Sequence, residues 1–157
     1  MIENNSKTTL KTRALRYLAR REYSRQELAQ KLSAYASSMK NEELMTVLDD
    51  LEQKGFLSAQ RVIEQTTHHR RSRYGNQRIV HELRAKGIDA QLINDVLPTL
   101  KATEEEAALT VWQKKFGKPP ITAEERAKQM RFMMSRGFST ETIRQVLVQA
   151  SDSINEY

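Results

Sequence analysis

The sequence predicts an almost wholly helical protein built from repeats, and three observations predict it. Among 157 residues there are five Gly and three Pro, too few to punctuate the turns of an all-β chain. No alternating apolar–polar run outcompetes apolar residues spaced three and four apart. One short pattern also recurs: Lys54-Gly55-Phe56-Leu57-Ser58, Lys86-Gly87-Ile88-Asp89 and Arg136-Gly137-Phe138-Ser139. Each is a basic residue, a glycine, an apolar stretch and a helix cap, followed by an amphipathic helix.

Cap and stop signals mark out nine helices, near 8–21, 24–36, 41–54, 58–72, 76–86, 89–100, 103–116, 122–136 and 139–151. The first has Leu10, Ala14 and Leu18 on one face and Arg13, Arg16 and Arg20 on another. Ser24 with Glu27, Thr103 with Glu106 and Thr122 with Glu125 have the spacing of reciprocal capping boxes. Asn41, Ser58, Asp89 and Ser139 read as simple caps. Gly87 and Gly137 suit the left-handed residue after a helix, and Gly117 precedes Lys118-Pro119-Pro120. The core stripes include Leu28 and Leu32; Leu44, Val47, Leu48 and Leu51; Leu92, Ile93, Val96 and Leu97; Ile143, Val146 and Leu147. Ala107, Ala108, Val111 and Trp112 share a side, and Trp112, Phe132 and the cluster Met130, Met133 and Met134 read as core packing.

The nine helices group as three three-helix repeats, 8–54, 58–100 and 103–151. A unit of about 45 residues buries little core alone. Stacked units share interfaces and make an elongated, curved modular body that offers a long face rather than a deep pocket.

Charge is segregated. Lys and Arg number 26 and Asp and Glu 20, a net charge of +6. Residues 54–86 carry 8 basic and 2 acidic side chains, so this central segment accounts for the whole excess. Between Lys7 and Arg25 seven basic residues face only Glu22. Phosphate binding needs several cations close together, and the run His68-His69-Arg70-Arg71-Ser72-Arg73-Tyr74-Gly75-Asn76-Gln77-Arg78 supplies them where one helix ends and the next begins.

Other chemistry falls away. With no cysteine there is no disulfide, thiolate zinc site or cysteine nucleophile. His68, His69 and His81 lack zinc-like spacing, and Gly117-Lys118 lacks the flanking residues of a phosphate-binding loop. Glu104, Glu105 and Glu106 read as acids opening a helix. No nucleophile elbow or dinucleotide loop occurs, so no enzyme, metal or cofactor is expected. No apolar run approaches the ~20 residues of a membrane span, and the polar start lacks a signal-peptide core. A reducing cytoplasm is the expected location. Residues 24–58 have the cadence of a winged-helix DNA reader, but the wing should follow as a β-hairpin and 58–71 reads as helix.

The chain also resembles the RecX family of bacterial regulators of the RecA recombinase. The resemblance is carried by Tyr17-Leu18-Ala19-Arg20-Arg21-Glu22-Tyr23-Ser24-Arg25-Gln26-Glu27-Leu28, by Leu51-Glu52-Gln53-Lys54-Gly55-Phe56-Leu57 with Arg70–Gly75, and above all by Arg78-Ile79-Val80-His81-Glu82-Leu83-Arg84-Ala85-Lys86-Gly87-Ile88. It departs from the family after the Gly-aromatic-Leu turn, where an acid and an aromatic give way to Ser58-Ala59 and Val62-Ile63. The resemblance implies tandem three-helix repeats and binding of a monomer in the groove of RecA assembled on single-stranded DNA. Single-stranded DNA is the expected nucleic-acid partner, and duplex DNA is left open beside it. Such proteins restrain filament growth and need no cofactor. Arg70, Arg71, Arg73, Arg78 and Arg84 are the first candidates for the filament or DNA contact, and Arg20, Arg21 and Arg25 the second. A winged-helix transcription regulator using 24–58 is the alternative.

Overall fold

The computed structural model describes residues 2–35 and 41–155, with backbone alone for 2–7. Eight helices form among them: α1 (Ile2–Leu18), α2 (Arg25–Ser33), α3 (Asn41–Gln53), α4 (Ala59–Arg71), α5 (Asn76–Ala85), α6 (Ala90–Lys115), α7 (Ala123–Ser135) and α8 (Thr140–Asn155). No strand occurs among the described residues, so the all-α expectation holds and no β-hairpin wing follows 24–58.

The caps are where the local chemistry puts them. Ser24 accepts the Glu27 amide and Glu27 returns to the Ser24 amide, a closed capping box. The carboxyl of Glu27 lies below its ordinary range; burial raises it, but the Ser24 amide and Arg21 outweigh that. Ser58 accepts from Arg61, Asp89 from Gln91 and Ser139 from Thr142. Thr122 accepts the Glu125 amide, whereas the Glu125 carboxylate reaches one residue further back, to the Ile121 amide. Asn41 is the first residue of α3, and the residues ahead of it lie outside those described.

The largest departure from the sequence reading is α6. Thr103 does not start a helix. Its hydroxyl bonds back to the carbonyls of Thr99 and Leu100 at 3.4 and 3.3 Å, and one 26-residue helix runs through Pro98 and past it. The predicted helices 89–100 and 103–116 are therefore one. The physical reason is a continuous buried stripe, Ile93, Leu100, Glu104, Ala108, Val111 and Trp112: tertiary packing outweighs both the local cap signal and the proline. The first helix also begins earlier and ends sooner than 8–21.

The described residues form two compact units. In the first, residues 1–65 with 85–88, α1 packs on α2 and α3 and α2 on α3. Its core is Leu10, Ala14, Tyr23, Leu28, Leu32, Val47, Leu48, Leu51 and Leu57. In the second, residues 66–84 with 89–157, α8 packs against α6 and α7. Its core is Ala108, Val111, Trp112, Met133, Phe138, Ile143, Val146, Leu147 and Ala150. The buried indole N–H of Trp112 donates to Gln129 Oε1 at 2.8 Å, and the Gln129 amide donates to Lys118 O. This satisfies the polar atoms that packing a Trp and a Gln in a core would otherwise strand.

Candidate functional site

A basic surface of the second unit is built around the turn between α4 and α5. Helix α4 ends in His68, His69, Arg70 and Arg71, and the two arginines suit the partial negative charge of a helix C-terminus. The chain then reverses: the amides of Arg73 and Tyr74 both bond to Arg70 O. The turn docks by its backbone onto the turn between α7 and α8. The Gly75 amide donates to Arg136 O at 2.8 Å and the Gln77 amide to Gly137 O at 3.1 Å. Only glycine fits at 75, because any Cβ there would strike the Gly137 backbone.

That docking assembles a file of cations and rings. The Arg78 guanidinium lies 4.5 Å from the Tyr74 ring centre and that of Arg136 lies 5.6 Å from it. Arg136 also lies 5.2 Å from the Phe132 ring, as does Lys115 Nζ. Arg78, Tyr74, Arg136, Phe132 and Lys115 therefore alternate in charge and aromaticity. Rings hold the guanidiniums in place through cation–π attraction without neutralising them. Planar guanidiniums then remain free to make bidentate hydrogen bonds with phosphate or carboxylate.

The eight candidate arginines divide by environment. Arg73 and Arg84 are exposed and have no side-chain partner among the described residues. Arg78 donates only a long bond, 3.4 Å, to Ser135 O beyond its ring contact. Arg70 is exposed but already bidentate on Glu82, at 2.8 and 3.1 Å. Arg71 is a tie inside the unit. Its Nη2 donates to Asn76 Oδ1 and Leu100 O, both at 2.7 Å, while Nε and Nη1 are buried without a hydrogen-bond partner. Burial pushes this guanidinium down from its ordinary value, and the negative charge of Glu104 opposes the shift. Glu104, 3% exposed, accepts the Ser139 amide at 2.9 Å.

In the first unit Arg20 is exposed and unpartnered among the described residues. Arg21 bonds Glu27 and Glu22 O and lies 3.6 Å from the Tyr23 ring centre. Arg25 is held by Asp49 at 2.7 Å and Glu52 at 2.8 Å. Arg13 stacks on Tyr35, 4.0 Å from its centre.

Sequence reasoning missed Arg136 and Lys115 as neighbours of this turn; Phe132, read as core packing, does pack partly buried against the core of the second unit while its ring also meets both cations. The signal for Arg136 was present, since it opens the third copy of the repeated turn, but only the folded backbone shows that another turn docks there. Among the described residues no group of three or more His, Asp or Glu is placed to hold a metal. No described helix is long and apolar enough to cross a membrane.

Comparison with known proteins follows the repeat pattern. Models of the RecX three-helix domains match this chain, the first at residues 11–35, the second at 60–97 and the third at 103–147. Regulatory protein RecX of Leptothrix cholodnii is 48% identical over 147 residues, 94% of this chain and 92% of that protein. Regulatory protein RecX of Herbaspirillum seropedicae is 48% identical over 142 residues, 90% and 91% respectively. The crystal structure of RecX from Lactobacillus salivarius has the same fold, with a TM-score of 0.81 at 16% identity, covering 94% of this chain and 98% of that one.

Proposed function

The chain belongs to the RecX family, and on that premise we propose that it regulates a RecA recombinase by binding the filament RecA forms on single-stranded DNA. It acts in the cytoplasm, without catalysis and without a cofactor, and restrains filament growth. The carrying observation is the file Arg78–Tyr74–Arg136–Phe132–Lys115 with exposed Arg73 beside it in sequence. These cations have no carboxylate partner among the described residues, so binding a polyanion breaks no existing ion pair. Arg84 and Arg20 are further cations without a partner among the described residues. Arg70, Arg21 and Arg25 contribute only by giving up Glu82, Glu27, or Asp49 and Glu52.

The test is RecA's DNA-dependent ATP hydrolysis and filament length, with this protein titrated in at substoichiometric levels and naked-DNA affinity read at the same salt. Reduced hydrolysis at levels too low to coat the DNA supports the reading. An effect only at saturation makes it simple competition for phosphates. Tight binding to one duplex sequence without recombinase favours a transcription regulator instead. The variant Arg73→Ala/Arg78→Ala/Arg136→Ala should weaken binding strongly with unchanged helicity, and Arg70→Ala much less. If the triple variant meets phosphates, the slope of log affinity against log salt falls by about 0.7 per lost contact on single strands. A weakened complex with an unchanged slope assigns the contact to acidic protein.

A further inference from the structure

One joint occurs twice in this chain, and half of a third copy stands open at each of two other places. In the first unit the start of α2 seats on the turn after α5. Ser24 Oγ donates to Lys86 O at 2.6 Å and Gln26 Nε2 to Ala85 O at 3.2 Å. Gly87, at φ +78°, has no side chain and so leaves room for Gln26. In the second unit the start of α5 seats on the turn after α7, through the bonds from Gly75 and Gln77 described above. The incoming pieces share a pattern: an apolar residue, the helix cap, then Gln or Glu two positions on. They read Tyr23-Ser24-Arg25-Gln26 and Tyr74-Gly75-Asn76-Gln77, and a third, Ile121-Thr122-Ala123-Glu124, opens α7.

Among the described residues the third incoming piece seats on nothing: Ile121 is 92% exposed, against 7% for Tyr23. The third receiving turn, Lys54-Gly55-Phe56-Leu57, is equally vacant. Gly55 has the left-handed φ of +80° of its counterparts, but among the described residues no atom beyond its chain neighbours lies within 4 Å of where a Cβ would stand. The turn carries one residue more than the others, Phe56, which is 47% exposed, while Leu57 takes the buried place of Ile88 and Phe138. Two large apolar residues are thus left bare on the two unused halves. The incoming end bears exposed Glu124 and Glu125, whereas Lys54 and Arg61 of the receiving turn are already paired with Asp50 and Glu22, so the match rests on the apolar residues and not on charge.

We propose that a second copy of this chain fills the vacancy: the start of α7 of one molecule seats on the Gly55 turn of the next, packing Ile121 against Phe56. The Thr122 hydroxyl takes the role of Ser24 Oγ and donates to Lys54 O, the counterpart of Lys86 O. Gly55 O is already held by Arg61 Nη2 at 2.6 Å, so the second unit's bond to the glycine carbonyl is not repeated. Glu124, a carboxylate with no hydrogen to donate, does not repeat the Gln26 bond either, and the new joint has the hydroxyl bond and the apolar contact alone. The contact is heterologous, so each molecule keeps one free half and the next can add. A single joint is small and weak. The chain is a monomer when dilute and associates when crowded, as it is when many copies share one polymer.

Because the chain has no cysteine, site-directed cross-linking tests this without recombinase or DNA, and so independently of the proposed function. Lys54→Cys/Ala123→Cys, at millimolar concentration with a short bismaleimide, should give a ladder of dimer, trimer and higher species on a denaturing gel. The two single variants mixed should stop at dimer, and each alone should stay monomeric. Adding Ile121→Asp should abolish the ladder, with helicity checked by circular dichroism. A double variant that stays monomeric, single variants that dimerise as readily, or a ladder indifferent to Ile121→Asp would each overturn the joint.

Discussion

Arg71 and Arg73 sit two apart in one basic run, and nothing in the sequence separates them. The fold does. Arg73 stands in solvent, whereas Arg71 spends its Nη2 on Asn76 and Leu100 and faces the charge of buried Glu104. Arg71→Met should therefore cost about 2 kcal/mol, the scale of hydrogen bonds to a charged group, seen as an earlier midpoint in urea unfolding. Arg73→Ala should stay within about 0.5 kcal/mol of the parent and act on binding alone. Equal midpoints for the two would remove Arg71 from the framework. A sequence shows that cations cluster; which of them a carboxylate or carbonyl already holds depends on pairs far apart along the chain, such as Arg70 with Glu82 or Arg25 with Asp49. That is why the candidate surface was legible as a region and only partly as residues.

Helix boundaries were legible wherever a cap met no competing force. Ser24, Ser58, Asp89, Thr122 and Ser139 all cap as their types suggest, and Gly55, Gly87, Gly117 and Gly137 all take positive φ. The reading failed at α6 because Thr103 and Glu106 have cap spacing while the residues around them belong to a stripe that stays buried on both sides of the supposed break. The expected cap at Thr103 does not form, because packing of that stripe outweighs the local spacing. The proline tests this. Pro98 is exposed in the helix interior, where proline costs up to about 3 kcal/mol relative to alanine. Pro98→Ala should raise the melting temperature without changing the helical content of the folded chain. A lower melting temperature would mean that the ring serves a packing or bending role that α6 needs.

At the scale of the whole chain, the physical and the repeated units are different things. We propose the repeats at 8–54, 58–100 and 103–151, read from recurring turns, while the compact bodies divide inside α4 and again about 85–88. The offset has a cause in the joints: the turn Ala85–Ile88 is claimed by Ser24 and Gln26, so it belongs spatially with the repeat before its own. The segregated charge was visible in the sequence because composition needs no fold. The single tryptophan carries a different consequence. Its indole lies 4% exposed in the core of the second unit and is bonded to Gln129. Indole emission therefore follows the melting of that unit alone, and the first unit, with its tyrosines, is dark to it. Circular dichroism registers both. The separation between the two melting curves, taken on one sample, measures directly how far the two halves of this chain lose their structure together.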